Sequence, residues 1–429
     1  MSTIAPHASS PARGCQTVEQ RKRPVAAGSN SGVQASDLAK PSLLVQSAFY
    51  LSVFSIPFTR LYLPGTGERL GITRLVQVVI FCAVLSKPRA CLRLVPVALF
   101  WFLAYCGVRI LAGLWLTPEL RTQWWPRTFE WLQFSLPWVW VMFNVLQFPN
   151  TGRRALWALV WGCSVCALFH IAGIGVVELD NGVEGRSSVF GENANVVGAT
   201  YAVALIVLVG LGMFKDVKLN RRLVIFPLTA VLGIGLAKTG SRTAILMLGM
   251  GVMVLMLQPG SFGARTKQVV RLLLIGAVLA GVVWKIPTVM TRFGWLAKYS
   301  VEQQEGRVRM FPVLCEVFLR SPIYGSGPDA YRFELTQRAM PYLLKEGRTI
   351  ASHNLALLVL VETGIIGFLV FSSGIKAALV AAWKARVYPC GLLPLALFLP
   401  FAITSVSVSD PSNSMVFWFA MAYALSGAA

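Results

Sequence analysis

The chain has 429 residues, of which 55% are hydrophobic and only 13% are charged. A soluble protein of this size carries about 25% charged residues, so the composition excludes an ordinary soluble globular protein. The net charge of +21 would suggest nucleic-acid binding in a soluble protein. Here most of the excess Lys and Arg lies in short segments between apolar runs, where basic residues set the orientation of membrane helices. We therefore predict no nucleic-acid partner.

The first 40 residues form a polar N-terminal segment that is rich in Ser, Pro, Ala and Gly and contains Arg21-Lys22-Arg23. This composition cannot bury a core and predicts a disordered tail over residues 1–40. The segment is not typical of a cleaved signal peptide, because the first apolar run starts late and many others follow. The basic cluster predicts that the tail stays in the cytoplasm.

Beyond the tail, apolar runs close to the roughly 20 residues needed to cross hydrocarbon recur to the C-terminus. We predict an all-α polytopic membrane protein of about 12 transmembrane helices, with helices 1–9 in residues 41–287, a large outer loop at 288–352, and helices 10–12 in 353–429. The predicted spans are Ser42–Phe58, Leu70–Leu85, Leu94–Leu116, Thr128–Phe148, Ala155–Val177, Ala194–Phe214, Leu223–Ala237, Thr243–Leu257, Val269–Ile286, His353–Trp383, Cys390–Val406 and Ser412–Leu425.

The distribution of charge orients these spans. With the tail inside, the inner loops are basic and the outer loops are mixed or acidic, which satisfies the positive-inside rule. The basic inner-loop residues are Lys87, Arg89, Arg93, Arg153, Arg154, Lys215, Lys218, Arg221, Arg222, Arg265, Lys267, Arg271, Lys376, Lys384 and Arg386.

Two features of the outer loop and the helix after it bear on their shape. Within the loop, Arg307–Arg320 has apolar residues at helical spacing and predicts an amphipathic helix on the membrane surface. The run His353–Trp383 is longer than a perpendicular crossing needs, and Gly364 or Gly367 is a candidate for a bend.

Cysteine and histidine usage predicts neither a disulfide framework nor a metal site. Cys163-x-x-Cys166 lies in the middle of a predicted span without a second pair, which is typical of core packing. Two of the three histidines are poor candidates for chemistry, because His7 lies in the tail and His170 lies deep in an apolar run. We predict no cofactor, and no metal ligand is identified.

Five basic residues fall on the predicted outer side, and together they suit a diphosphate ligand. Each guanidinium offers two parallel donors to phosphate oxygens and stays charged. The turn Thr239-Gly240-Ser241 adds backbone amides at a helix start, which also favour anions. The alternative is that the arginines extend to lipid headgroups. The five residues are Arg186, Arg242, Arg307, Arg309 and His353.

Three residues of the tenth run have alternative roles. His353 is a candidate proton acceptor or phosphate ligand, or a helix-end residue that bonds a loop carbonyl. Asn354 is either a substrate contact or a helix cap. Glu362 lies inside the span, where a carboxylate needs a partner, and Arg109 of the third span is a candidate for that partner.

The ordered motifs resemble those of the O-antigen ligase and polymerase superfamily of bacterial envelopes. The resemblance covers roughly Arg186–Phe371, with Ala194 where the family often has proline and Ser188 where glycine is common. The matching segments are Gly185-Arg186 to Asn195, Thr239-Gly240-Ser241-Arg242, Arg307 to Tyr331 with Ser321-Pro322-Ile323-Tyr324-Gly325-Ser326-Gly327, and His353-Asn354-Leu355 with Glu362-Thr363-Gly364-Ile365-Ile366-Gly367.

The resemblance implies a metal-independent, inverting glycosyltransferase of the bacterial inner membrane. It implies transfer of a glycan from undecaprenyl diphosphate to an acceptor hydroxyl on the periplasmic face. Our first expectation is a ligase, whose acceptor is the lipid A–core. The alternative is a polymerase, whose acceptor is a growing glycan. Membrane lipids surround the site. Tyr331, Arg332 and Arg338 are candidates for shaping the acceptor side.

The expected roles of individual residues follow from the motifs. A transporter of lipid-linked glycans is the alternative of another class, and it should place charges along a central path through the membrane. We expect catalysis from His353 and Arg242, diphosphate binding from Arg186, Arg242, Arg307 and Arg309, and support from Asn195, Ser241, Asn354 and Glu362.

Overall fold

A computed structural model describes most of the predicted helical region, and the described residues belong to the larger of two units, residues 40–429. Within them the chain is almost entirely helical, with one small sheet. The described residues are 41–62, 71–114, 128–129, 131–178, 187–213, 219–257, 266, 270, 311–339, 354–388, 390–405 and 414–427.

The N-terminal helices are joined by short turns, including a 3-10 turn at Ile56–Phe58 and a π-helical turn at Trp131–Ser135. A two-stranded antiparallel hairpin, β1 (Val176–Glu178) with β2 (Ser187–Val189), follows the sixth helix. The helices are α1 (Leu43–Phe54), α2 (Ile72–Leu85), α3 (Pro88–Cys91), α4 (Val97–Leu114), α5 (Leu136–Leu146), α6 (Thr151–Ala172) and α7 (Ala194–Met213).

The C-terminal helices include two short ones that precede the longest helix of the described chain. A 3-10 turn at Ala385–Val387 ends that long helix. The helices are α8 (Leu219–Thr239), α9 (Arg242–Met256), α10 (residues 311–320), α11 (Ala330–Ala339), α12 (Leu355–Lys384), α13 (Leu393–Thr404) and α14 (Met415–Ser426).

Described helices lie at every predicted span except the ninth, Val269–Ile286, which lies outside the described residues apart from the helical Val270. Four helices, α4, α6, α7 and α12, are long and apolar enough to cross a membrane by length and composition. The other apolar helices found in the described residues have 10–17 residues. The all-α fold is therefore confirmed for the described chain, whereas the number of crossings and the outer loop stay predictions.

The core is built around α14, whose residues Met415–Leu425 are all buried. A helix that is apolar on every side is typical of a position inside a bundle. Phe102 of α4 and Trp131 of the π-helical turn meet its Trp418 in edge-to-face contacts, a favoured geometry for ring pairs. Phe371 of α12 packs edge-to-face on Phe102 in turn. The cluster extends to Tyr105, whose ring lies 5.0 Å from that of Phe371.

Helix α12 is broken at Gly364, where φ is 65° and ψ is −168°. The expected bend is therefore present, but Gly367 is helical and takes no part in it. A positive φ disfavours residues with a Cβ, and a Cβ at Gly364 would also collide with the carbonyl of Ile323. The break divides α12 into a short N-terminal segment and a long C-terminal one.

Candidate functional site

The turn between α8 and α9 holds Arg242 at the surface on a rigid support. Ser241 caps α9, because its Oγ accepts a hydrogen bond from the Ala244 amide at 3.3 Å. Gly240 has a φ of 55°, and the Thr239 hydroxyl donates to the Leu236 carbonyl at 2.6 Å. Thr239 and Ser241 are fully buried while Arg242 is exposed. The exposed Arg242 is thus carried by a turn that is fixed internally.

The start of α7 is joined directly to this turn. Ser241 Oγ donates a hydrogen bond to Asn195 Oδ1 at 3.0 Å. Gly198 permits the close approach, since a Cβ there would come 2.9 Å from Thr239 Oγ1. Two predicted supporting residues that are 46 positions apart are therefore brought together next to Arg242.

The hairpin adds His170, which the sequence analysis had set aside. His170 is fully buried, and its Nε2 shares a hydrogen bond of 2.8 Å with Ser187 Oγ. Lys238 Nζ donates to the His170 carbonyl at 3.1 Å. His170 thereby connects β2, α6 and the end of α8. Its place deep in an apolar run hid it in the sequence, because the contact with Ser187 depends on how the hairpin packs.

The segment after the hairpin brings in an arginine from the first outer segment. Arg60 Nε lies 3.9 Å from Glu192 Oε2, although no motif in the first five spans had pointed to Arg60. Burial raises the pKa of Glu192, while hydrogen bonding from Asn193 and the charge of Arg60 oppose that rise. Phe190 has a φ of 56°, and the centre of its ring lies 6.2 Å from the centre of the Phe58 ring.

A second part of the site forms where the loop between α10 and α11 enters the break in α12. The break leaves backbone groups on both sides of Gly364 without helical partners, and the loop satisfies them. A Cβ at Gly325 would collide with the backbone of Glu362, so glycine is needed there. The four hydrogen bonds, each from amide to carbonyl, are Ser326 to Val361 (2.9 Å), Gly327 to Glu362 (3.0 Å), Ile365 to Pro322 (2.9 Å) and Ile366 to Ile323 (3.3 Å).

Four buried charged side chains reinforce this junction. Glu362 Oε1 accepts a hydrogen bond from the Asp329 amide at 2.8 Å, and its Oε2 lies 3.5 Å from Arg109 Nη2. Asp329 Oδ1 lies 3.6 Å from Arg332 Nη1. All four residues are at least 93% buried, so each charge depends on its neighbours. The suggested Arg109–Glu362 pair is therefore present, and it links α4 to α12 at the break.

Arg109 is also held by the aromatic core. Its guanidinium carbon lies 5.9 Å from the centre of the Trp131 ring, which is within the range of a cation–π contact. The π-helical turn that carries Trp131 therefore helps to orient Arg109 toward Glu362.

Helix α10 packs against the two helices that follow it. Leu314 and Val317 are buried in a cluster with Tyr331, Leu335 and Leu358. One side of α10 therefore packs on α11 and on the first turns of α12. Phe311 and Leu319 of the same helix are exposed, so the placement of α10 on a membrane surface stays a prediction.

Salt bridges also join α10 to α11. Glu316 contacts Arg338 at 2.6 Å and Arg320 at 2.8 Å, and Arg320 contacts Glu334 at 2.7 Å. Hydrogen bonds from Arg338 and then Arg320 lower the pKa of Glu316 to about 2. Together with the burial of Tyr331 and the pairing of Arg332 with Asp329, this gives all three candidate acceptor residues partners within the protein.

Asn354 caps α12. Its Oδ1 accepts a hydrogen bond from the Leu357 amide at 3.0 Å, so the cap is the role that the structure supports. The Leu355 amide donates to the Ser405 carbonyl at 2.8 Å, which joins the start of α12 to the end of α13. The cap and this bond fix the backbone directly after His353.

Five of the predicted site residues lie on described elements, and the structure places them in two groups. Arg242, Ser241 and Asn195 lie together at the turn before α9, while Asn354 and Glu362 lie on the N-terminal segment of α12. The remaining predicted residues lie outside the described residues: Arg186, Arg307, Arg309 and His353.

Comparison with known families finds a match, and it covers most of this arrangement. Residues 227–372 match the family model described as O-antigen ligase. The matched segment includes the turn that carries Arg242, the loop at Pro322–Gly327 and the broken part of α12. Comparison with curated proteins gives no match. The family match and the ordered motifs within it make residues 227–372 similar to the O-antigen ligase family.

Proposed function

We propose that this protein transfers a glycan from undecaprenyl diphosphate to an acceptor hydroxyl on the periplasmic face of the inner membrane. The match of residues 227–372 to the O-antigen ligase family supports a glycosyltransferase-like membrane enzyme. The observation that carries the proposal is the position of Arg242, an exposed guanidinium on a buried, internally bonded turn. A rigid cation of this kind suits a ligand whose negative charge increases during the reaction.

The diphosphate is the leaving group of the proposed reaction. Arg242 binds it together with Arg186, Arg307 and Arg309. Charge accumulates on the phosphate oxygens as the glycosidic bond breaks, so fixed guanidinium groups stabilise the transition state more than the bound donor. Arg186 directly precedes Ser187, whose hydrogen bond to His170 gives the strand after it a fixed position.

His353 acts on the acceptor in this mechanism. Its imidazole takes the proton of the acceptor hydroxyl, the oxygen attacks the anomeric carbon, and the bond to the diphosphate breaks with its electron pair. Direct displacement of this kind inverts the anomeric centre and uses no metal ion. The alternative role for His353 is a hydrogen bond to the diphosphate.

The junction of loop and helix positions this machinery. The N-terminal segment of α12 begins one residue after Asn354 and ends at the break, and Glu362 ties it to Arg109. We assign Arg109 and Glu362 as positioning residues. They hold the start of α12 in a fixed position relative to α4. His353 directly precedes Asn354, the residue that caps α12.

A reconstituted reaction tests the proposal against the transporter. Purified full-length protein in detergent is incubated with an undecaprenyl-diphosphate glycan and candidate acceptors, and the product is measured. We expect glycosylated acceptor without any vesicle, because an enzyme needs no second compartment. Absence of product in detergent, with movement of the lipid-linked glycan across vesicle membranes, would instead indicate transport.

Lipid A–core is our first choice of acceptor, and a growing glycan is the alternative. A deletion strain distinguishes them by what remains on lipid A. Loss of all long chains with lipid-linked polymer still present indicates a ligase. Single repeat units that are still attached indicate a polymerase.

A further inference from the structure

A cavity of about 480 Å³ opens at the N-terminal end of α6, away from the candidate site. Ligand sites in proteins typically have volumes of about 300–1,000 Å³, so the cavity is large enough for part of a bound molecule. Helix α6 has 22 residues and spans about 33 Å. The cavity and the His170 hairpin therefore lie at opposite ends of a helix long enough to cross a membrane. The lining residues are Asn150, Arg153, Arg154, Trp157, Trp161 and Val224.

The lining is cationic at one end and aromatic along its length. Arg153, Trp157 and Trp161 are four residues apart on α6, so their side chains follow one ridge of the helix. Val224 of α8 faces them across the cavity. Arg153 and Trp161 are about 12 Å apart along the helix axis, at about 1.5 Å per residue. The cavity thus suits a ligand with an anionic end and an apolar end.

The two arginines are not neutralised by the protein that surrounds them. No carboxylate of the described chain forms an ion pair with Arg153 or Arg154, and the enclosed Nε of Arg153 has no hydrogen-bond acceptor among the same residues. Adjacent guanidinium groups repel each other, and a shared phosphate removes that repulsion while accepting parallel hydrogen bonds.

We propose that this cavity binds the phosphodiester headgroup of an anionic phospholipid. Arg153 and Arg154 hold the phosphate, and the rings of Trp157 and Trp161 lie along the glycerol and the first methylenes of the acyl chains. Tryptophan favours this depth of a bilayer, and basic pockets between helices bind lipid headgroups. The assignment does not depend on the proposed transferase reaction, because it concerns the other end of α6.

Native mass spectrometry of the full-length protein tests the assignment with phosphatidylglycerol as the probe. We expect phosphatidylglycerol to bind more tightly than phosphatidylcholine, and Arg153→Gln with Arg154→Gln to weaken its binding by at least about tenfold, as expected for losing contacts to a charged group. The matched control is Lys87→Gln with Arg89→Gln. This control removes the same charge from two exposed residues outside the cavity and should bind the lipid normally.

Three outcomes would overturn the proposal. Equal weakening by both double variants would indicate general attraction to the basic surface. Displacement of the lipid by inorganic phosphate at the same concentration would indicate a site for free anions. Equal binding of phosphatidylcholine would show that the headgroup charge plays no role.

If the arginine variant does not fold, Trp161→Ala serves instead, since Trp161 is 47% exposed. Unchanged phosphatidylglycerol affinity in that variant would contradict the cavity as the binding place.

Discussion

Arg242 owes its position to residues that are distant in the sequence. Its own turn supplies a cap and a positive φ, both of which the Thr239-Gly240-Ser241 pattern indicates. The bond from Ser241 to Asn195 adds the start of α7, and this contact fixes the turn that carries Arg242 relative to that helix. The functional residue is therefore positioned by its neighbours rather than by its own helix.

Replacing Arg242 with Lys separates the effect of charge from that of geometry. The ammonium keeps the charge but loses the two parallel donors, so we expect transfer to fall by about 10- to 100-fold, equivalent to about 1.5–3 kcal/mol for a hydrogen bond to a charged group. Initial rates in the reconstituted reaction measure this. The matched control is Arg89→Lys, which changes an exposed residue distant in sequence from Arg242 and should keep full activity. Near-normal transfer by the Arg242 variant would count against a direct diphosphate contact.

His353→Ala distinguishes the two roles of the imidazole. If His353 is the base, the variant loses transfer by about 100- to 10,000-fold, the usual contribution of such a group, and still binds the donor. Donor binding is measured with a labelled undecaprenyl-diphosphate glycan. Loss of donor binding together with transfer would assign the imidazole to the diphosphate instead.

At the scale of elements, the main finding is that α12 is not a continuous helix. The loop at Pro322–Gly327 completes the hydrogen bonding that the break at Gly364 interrupts. Glycine at 325 and 364 permits backbone to approach backbone. The two glycine-containing motifs, 39 positions apart, are therefore halves of one interface, and their spacing alone did not reveal it.

Gly364→Ala tests this junction. A residue with a Cβ is strained at that φ by about 1–3 kcal/mol, and it would also collide with the carbonyl of Ile323. We expect a lower Tm and faster proteolysis between α10 and α11. Gly249→Ala is the matched control, because a Cβ at this position in α9 meets nothing within 4 Å and alanine favours a helix. Equal Tm values for the two variants would contradict the docked loop.

The Arg109–Glu362 pair connects α4 to the same junction, and a double-mutant cycle measures it. Glu362→Gln leaves Arg109 with an unbalanced buried charge, which costs about 3–5 kcal/mol. The double variant with Arg109→Met should be less destabilised than the sum of the single changes, by about 0.5–3 kcal/mol. Unfolding in detergent gives these free energies. Strict additivity would show that the two side chains do not interact.

At the scale of the whole molecule, the open question is how the helices cross the membrane. The positive-inside pattern predicts both termini in the cytoplasm and the loop at 288–352 outside. We therefore expect a C-terminal green fluorescent protein fusion to fluoresce, and alkaline phosphatase inserted into 288–352 to be active. The same phosphatase fused after Arg153 serves as the cytoplasmic control and should be inactive. The opposite pattern would invert the topology and place the candidate site on the wrong face.

The sequence by itself determined the apolar, all-α class of the protein, the places of its described apolar helices at the predicted spans and the family-like motifs. Apolar composition and helical spacing are local properties, so they can be read along the chain. The choice between Gly364 and Gly367 as the residue that breaks α12 needed the structure. Only the tertiary structure decided that Asn195 meets Ser241, that His170 meets Ser187 and that Glu362 meets Arg109. Local periodicity does not specify contacts between side chains on different helices, because these depend on how the helices pack.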